Sequence, residues 1–281
     1  MKSKNPLFSI LIANYNNGKF FQDCYNSIIA QNYDNWEVII VDDGSTDNSV
    51  DVIQKMIGED DRFHFFENLE NKGCGYTKRR CVELADGELC GFLDPDDALT
   101  EEALTVMVSE HENRKEATII YSNLYWCNEL LEIQRENKSK QIENEDPYFF
   151  DFDGRINHFL SFKKSLYNKT LGIDPYLQRA IDKDLVLKLY EVGPCYYVDK
   201  TLYKYRVHSG GISMTTNQDK AFYWYWVTII DAARRRNINI EDIYVEKALI
   251  SRRDWALQKE LDGYNASFIF KVFRKIGLFR I

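Results

Sequence analysis

The sequence predicts an α/β fold: a mainly parallel sheet with helices on both faces. Three observations carry the prediction. Short apolar runs of strand length alternate with stretches at helical spacing through the first hundred residues. The links between them are short, as in successive strand–helix units whose crossovers cover the sheet. Polar clusters fall where three of the strands end, at the carboxyl edge where open α/β sheets take their ligands.

Phe8 to Ala13 is the first buried strand, followed at once by Asn14-Tyr15-Asn16. Lys19 to Gln31 reads as a helix through Phe21, Cys24, Tyr25, Ile28 and Ile29. Glu37 to Val41 is the second strand, and Asp42-Asp43-Gly44-Ser45 ends it. A helix follows through Val50, Val52, Ile53 and Ile57, then a strand from Arg62 to Phe66, a helix from Tyr76 to Ala85 and a strand from Glu88 to Leu93. Asp94-Pro95-Asp96-Asp97 closes that strand. Beyond it, Thr100 to His111 is helical, with Glu101 and Glu102 in the first turn, where the helix dipole favours acids. Thr118 to Trp126 is a strand, and the charged, turn-rich stretch from Gln134 to Asp153 a mobile loop. A helix over Asp182 to Glu191 leads to a strand near Tyr196-Tyr197-Val198, and residues 219–262 are expected to be wholly helical. Residues 1–215 thus form the sheet domain, and residues 216–281 a helical accessory region.

Composition narrows the function classes. The 281 residues carry 36 Lys and Arg against 44 Asp and Glu, a net charge of −8, so no basic footprint for nucleic acid is present. Six cysteines are scattered without a C-x-x-C pair, which suggests neither a zinc ribbon nor a dense disulfide framework. The N-terminus does not read as a secretory leader, and no run approaches the ~18 apolar residues of a membrane span. The expectation is a cytoplasmic protein. The tail 267–281 carries Lys271, Arg274, Lys275 and Arg280 without an acid. As an amphipathic helix it would either lie on anionic lipid at the cytoplasmic face of the inner membrane or dock on the body.

The candidate chemistry sits at the strand ends. Asp94, Asp96 and Asp97 repel one another unless a cation or hydrogen bonds offset their charge. Hard carboxylate oxygens suit Mg²⁺ or Mn²⁺, with phosphate oxygens completing the shell. The Asp42-Asp43 pair is placed to accept a hydrogen bond from a nucleobase or ribose, with Asp47 or Asn48 left to cap the next helix. No G-x-G-x-x-G follows the first strand, which argues against a dinucleotide enzyme. Interhelical packing accounts for Tyr223-Trp224-Tyr225-Trp226, whereas Tyr125, Trp126, Tyr148 and Phe149 are placed to meet an acceptor, with core packing an equal alternative for Tyr125 and Trp126.

Several segments, in order, resemble glycosyltransferase family 2. They are Phe8 to Asn16; Gln31-Asn32-Tyr33, then Trp36 to Asp47; Gly87-Glu88; and Phe92-Leu93-Asp94-x-Asp96-Asp97. Leu171 to Asp174, Asp182-x-Asp184-Leu185 and Tyr205-Arg206-x-His208 continue the resemblance to about residue 213. It implies a GT-A fold and an inverting transferase that moves a hexose or N-acetylhexosamine from a UDP-sugar to a hydroxyl of a glycan or lipid-linked glycan. It implies that Ala13, Asn14 and Tyr15 bind the nucleotide, and that Asp43 with Asp42 holds uracil or ribose. Asp94 would contact ribose or donor sugar, and Asp96 would bind a divalent cation, Mn²⁺ or Mg²⁺. His208 would contact metal or phosphate, with Arg206 closing over the phosphates beside it, and Asp182 would be the general base. Two departures stand out: Ile181 replaces the acid usual before Asp182, and Lys78-Arg79 stands where the family has Arg-Asn. Lys78 keeps the charge for a diphosphate but not the planar fork of Arg. A non-catalytic nucleotide-sugar-binding subunit and a nucleotide-sugar phosphohydrolase are the competing classes.

Overall fold

The computed structural model describes residues 5–208, 218–250 and five positions between 253 and 261. The tail 267–281 and the Ser209-Gly210-Gly211 stretch lie outside the described residues. The chain divides into two compact units, Met1–Ala232 and Ala233–Ile281.

Among the described residues, the first unit is built on a nine-stranded sheet. Strands β1 (Phe8–Asn14), β2 (Trp36–Asp42), β3 (Phe63–Glu67) and β4 (Leu89–Phe92) are parallel, in the spatial order β3-β2-β1-β4. Their connections are the helices α1 (Phe21–Ile29), α2 (Ser49–Ile57) and α3 (Cys74–Leu84). Ile10, Ile12, Val38 and Ile40 face one core, and Leu11, Ile39 and Val41 the other. A strand buried on both faces must be apolar at successive positions, hence the continuous runs in the sequence. The register sets Asn14 of β1 against Asp42 of β2, and Leu11 against Phe92 of β4. The carboxyl ends of these three strands therefore open side by side.

The second half of the sheet is mixed. β5 (Ala98–Leu99), α4 (Ala103–Asn113), β6 (Ile119–Cys127), β7 (Ile133–Asn137), β8 (Leu160–Lys163), the short α5 (Lys164–Tyr167), α6 (Ile181–Tyr190) and β9 (Cys195–Arg206) follow. β8 lies antiparallel between β4 and β6, while β9 runs parallel to β6 and antiparallel to β5. The long β9 matters for function. Pairing Ala98 with Lys204 brings the chain just past Arg206 up to the Asp94–Asp97 turn.

Two expectations change. The stretch from Gln134 to Asp153 is not all loop, because β7 pairs with β6 there, and Tyr121 and Tyr190 bond its later residues. Nor is 219–262 one helix. α7 (Gln218–Arg235) ends before Asn237, which is left-handed at φ 54°, a conformation asparagine tolerates and helices do not continue through. A single turn, α8 (Glu241–Tyr244), resumes and passes into a wider turn over Val245–Ile250. No described helix is long and apolar enough to cross a membrane.

One buried histidine makes the fold pH-sensitive. His111 on α4 meets Ser161 of β8 through Nε2 at 3.0 Å. Burial, then the Lys163 charge, hold its imidazole down to about 3. The folded state therefore refuses a proton that the unfolded chain accepts near pH 6.5. Its contribution is whole above about pH 6.5 and is lost toward pH 3, at up to about 1.4 kcal/mol per pH unit. Urea midpoints measured from pH 7 to 5 should fall more steeply for the wild type than for His111→Gln. Equal slopes would contradict the assignment.

Candidate active site

A cleft of about 630 Å³ opens at the carboxyl ends of β1, β2 and β4, within the size range of small-ligand sites. Of the residues singled out in the sequence, Ala13, Asn14, Tyr15, Asp43, Lys78, Asp94, Asp96, Asp182, Arg206 and His208 all line it. Asp42 does not.

The nucleotide end is tied together by short polar contacts. Asn14 donates from Nδ2 to Asp42 at 2.7 Å, and Asp42 also accepts from the backbone N–H and hydroxyl of Ser45, both at 2.7 Å. Asp42 is fully buried and spent on this Asx turn, so it shapes the pocket from behind rather than touching a ligand. Both acids of the pair are expected to be free for the nucleotide, and only Asp43 faces the cleft. Asp43 accepts from Asn68 Nδ2 at 2.7 Å and from the N–H groups of Lys72 and Gly73 at 2.9 Å. Oδ1 receives two donors and Oδ2 one, which leaves acceptor capacity on Oδ2. Asn14 Oδ1 is buried without a hydrogen-bond partner among the described residues. Asn48 holds the cap position of α2 without a side-chain cap bond, and Asp47 just before it accepts from Ser49 N–H at 2.9 Å.

The middle of the cleft is acidic with one buried cation. Lys78 Nζ lies 3.2 Å from Asp94 and 3.0 Å from Asp182, joining the β4 turn to the first turn of α6. Burial disfavours the ammonium, but the two carboxylates prevail and its pKa stands well above the usual lysine range. For Asp182, burial pushes upward, and the Lys78 charge together with His158 outweighs it, so the carboxyl sits well below the usual range. Ala180, just before α6, is left-handed at φ 60°, a conformation that costs a non-glycine residue about 1–2 kcal/mol. That turn directs the chain so that Asp182 enters the cleft. Gly75 packs under the same loop and donates to Leu177 O at 2.9 Å. A Cβ there would meet the Leu177 and Asp174 carbonyls at 2.5 and 2.6 Å.

At the far end, Asp96 Oδ2 and His208 Nε2 are 2.7 Å apart, and the His208 ring packs on Phe20 at 4.7 Å. Burial, then the neighbouring Asp94 charge, raise the Asp96 carboxyl, and His208 opposes this. No described group of three or more acids, histidines or cysteines forms a complete metal cage. One carboxylate and one imidazole facing a cleft nonetheless fit a divalent cation whose other ligands are phosphate oxygens. Asp97 is the structural member of the turn, accepting from Tyr203 OH and Arg206 N–H, both at 2.7 Å. Arg206 gives three of its five N–H groups to Asp96 O, Glu129 O and Asp23. It props the turn, which narrows the expectation that it closes over phosphates to its two remaining N–H groups.

Cys74 also lines the cleft, but burial pushes its thiol up to about 12, so it is no nucleophile at neutral pH. The aromatics placed for an acceptor are not among the residues that line the cleft. Trp126 packs on Tyr205 at 5.2 Å, and Phe149 on Tyr190 at 4.6 Å. Tyr125 sits within β6, and Tyr148 is exposed. Trp226 is buried against Phe152, which lies outside any helix, Tyr223 is exposed, and Trp224 stands edge-on to the exposed Tyr176 at 5.5 Å. Gln178 lines the cleft, Asp23 bonds Arg206, His158 faces Asp182 and Tyr203 bonds Asp97, and no motif marks any of the four.

Comparison with known proteins gives the family and the fold. The family model described as Glycosyl transferase family 2 matches residues 9–171. Chondroitin synthase of Escherichia coli is 32% identical over 217 residues, 74% of this chain, and the chain spans 30% of that protein's length. Among solved structures, S. aureus TarS 1–349 in complex with UDP-GlcNAc aligns at TM-score 0.61 and 16% identity, over 88% of this chain and 77% of that one. The mannosyltransferase PcManGT of Pyrobaculum calidifontis, in complex with GDP-Man and Mn²⁺, aligns at TM-score 0.66 and 15% identity, over 98% and 80%. These two likenesses establish the shared GT-A architecture.

Proposed function

The chain belongs to glycosyl transferase family 2, and from that premise we propose that it is a metal-assisted, inverting transferase. It moves a hexose or N-acetylhexosamine from a UDP-sugar to a hydroxyl of a glycan or lipid-linked glycan. The observation that carries this reading is the meeting of Asp43, Asp94, Asp96 and Asp182, from two strand ends and one helix, around a cleft with Lys78 and His208. TarS, solved with UDP-GlcNAc, supports the donor class, and PcManGT, solved with Mn²⁺, supports the cation. The relative named chondroitin synthase supports a role in building polysaccharide.

The nucleoside end occupies the Ala13–Asn14–Tyr15 and Asp43 wall. The exposed ring of Tyr15 and the remaining acceptor capacity of Asp43 suit a base and its N–H groups. Asp96 and His208 would hold a divalent cation, which when bound neutralises charge on the diphosphate. Asp182 receives the proton of the acceptor hydroxyl as its oxygen attacks the anomeric carbon. Attack comes from the face opposite the bond to the diphosphate oxygen; that bond breaks, its electron pair leaves with UDP, and the configuration inverts. A carboxylate gripped by Lys78 is a weak base in the free protein. The incoming diphosphate gives Lys78 a competing anionic partner, and Asp182 gains basicity as that ammonium shares its charge.

A non-catalytic nucleotide-sugar-binding subunit is the second reading, favoured by Ile181 and by the hold of Lys78 on Asp182. The test is a nucleotide-sugar screen read as melting temperature with Mn²⁺ and with EDTA, because a ligand that binds only the native state stabilises it. The stabilising donor is then supplied with glycan acceptors. Metal-dependent stabilisation by UDP-sugars, with UDP released and an inverted linkage formed, is expected. Stabilisation without turnover would favour the second reading, and no stabilisation by any nucleotide sugar would overturn both.

A further inference from the structure

We propose that His158 is a positioning residue for Asp182, an inference that rests on the reading of Asp182 as the base. His158 Nε2 lies 3.6 Å from Asp182 Oδ2, while Lys78 holds the other oxygen, Oδ1, at 3.0 Å. Each carboxylate oxygen thus has its own partner on a different element, and together they fix the plane of the group. The side chain of Asp182 stays partly open, so one edge remains available to an acceptor hydroxyl.

The imidazole is itself held in place. Its ring stacks on Tyr203, with centroids 5.1 Å apart and planes at 27°. Tyr203 is fully buried, donates to Asp97 at 2.7 Å and accepts from the Asp94 N–H at 3.2 Å. His158 therefore couples the acid of α6 to the same platform that holds the Asp94–Asp97 turn, which carries the donor-side acids. The separation between base and donor is set by packed side chains rather than by a loop alone.

Chemistry assigns the proton. Nδ1 of His158 is buried with no hydrogen-bond partner among the described residues. A neutral imidazole carries one N–H, and that hydrogen belongs on Nε2, where a carboxylate waits, rather than on Nδ1, where it would be stranded. So arranged, His158 presents its Nε2 hydrogen to Asp182 Oδ2 and orients the carboxylate. It is not among the cleft-lining residues, so its effect passes through Asp182.

The experiment compares His158→Ala and His158→Gln in transfer kinetics, UDP affinity and melting temperature. Glutamine can return an N–H near the position of Nε2. For His158→Ala, kcat should fall about 10–100-fold, as expected of a misplaced catalytic group, with UDP affinity unchanged within about two-fold. His158→Gln should recover most of the loss, and adding His158→Ala to Asp182→Asn should cost nothing more, because the two act as one unit. Nitrogen-15 spectra of the wild type should show the Nε2–H tautomer, a measurement that needs no variant to fold. An Nδ1–H tautomer, full kcat in His158→Ala, equal losses in both variants, or an added loss on Asp182→Asn would overturn the proposal. An active Asp182→Asn would instead remove the base assignment beneath it, and so the two failures are distinguishable.

Discussion

Asp182→Asn should abolish transfer while sparing nucleotide binding. The substitution is nearly isosteric and keeps one oxygen for Lys78, which lies 3.0 Å away, so the cleft should keep its shape. What it removes is the ability to take a proton. Positioned general bases contribute about 10²–10⁴ in rate, or roughly 3–5 kcal/mol in the barrier. The loss should therefore appear in kcat, and UDP affinity should stay within a few-fold of the wild type. Transfer assays with saturating donor, beside calorimetric titration of UDP, separate the two quantities. Undiminished kcat would remove Asp182 from the mechanism, and joint loss of UDP binding would make it a structural residue.

The second large effect is expected of Lys78→Met. Lys78 is buried, and it separates two carboxylates whose side chains are 31% and 42% exposed. Removing one partner of a fully buried pair costs about 3–5 kcal/mol. Here the stranded acids can draw on water, so about 1–3 kcal/mol is the expected loss, scaled down from that range. Catalysis should suffer more, by about 10²–10³ in kcat, the typical cost of deleting one preorganised group that stabilises developing charge. The pH dependence has a definite sign. In the wild type the Asp182 carboxyl lies below its unfolded value, so the stability it contributes is present above about pH 4 and lost as the pH falls further. Without the lysine, two like charges face each other, and one carboxyl should rise above the ordinary range. The variant should then be relatively more stable at pH 5 than at pH 8, which urea midpoints at the two values will show. Unchanged kcat and a flat stability difference would contradict the assigned role.

How much of this was legible in the sequence differs from residue to residue. Asn14, Asp43, Asp94 and Asp96 were readable because a strand's apolar run announces its own end, and parallel strands must end on one edge. Asp42 was misjudged for a local reason. A buried aspartate just before a Gly-Ser turn has a serine hydroxyl and two N–H donors within reach, and they consume it. The pairing of Lys78 with Asp182 spans 104 residues, and that of Arg206 with Asp23 spans 183. No periodicity in either segment encodes such a partner, which follows from β9 returning beside β5 and from the start of α6 lining the cleft. His158 stands alone in a turn with no neighbouring motif. Its relevance emerges only when Tyr203 supplies a stacking surface and Asp182 an acceptor.

The central claim is that distant acids hold one nucleotide diphosphate together with a cation. Calorimetric titration of UDP into the wild type, Asp43→Asn, Asp96→Asn and Asp182→Asn, each with Mn²⁺ and with EDTA, tests it directly. One UDP per chain should bind the wild type and Asp182→Asn in the presence of Mn²⁺, more weakly in EDTA. Asp43→Asn should weaken binding under both conditions, and Asp96→Asn should erase the difference that Mn²⁺ makes. UDP binding indifferent to positions 43 and 96, or no UDP binding by the wild type, would contradict the account.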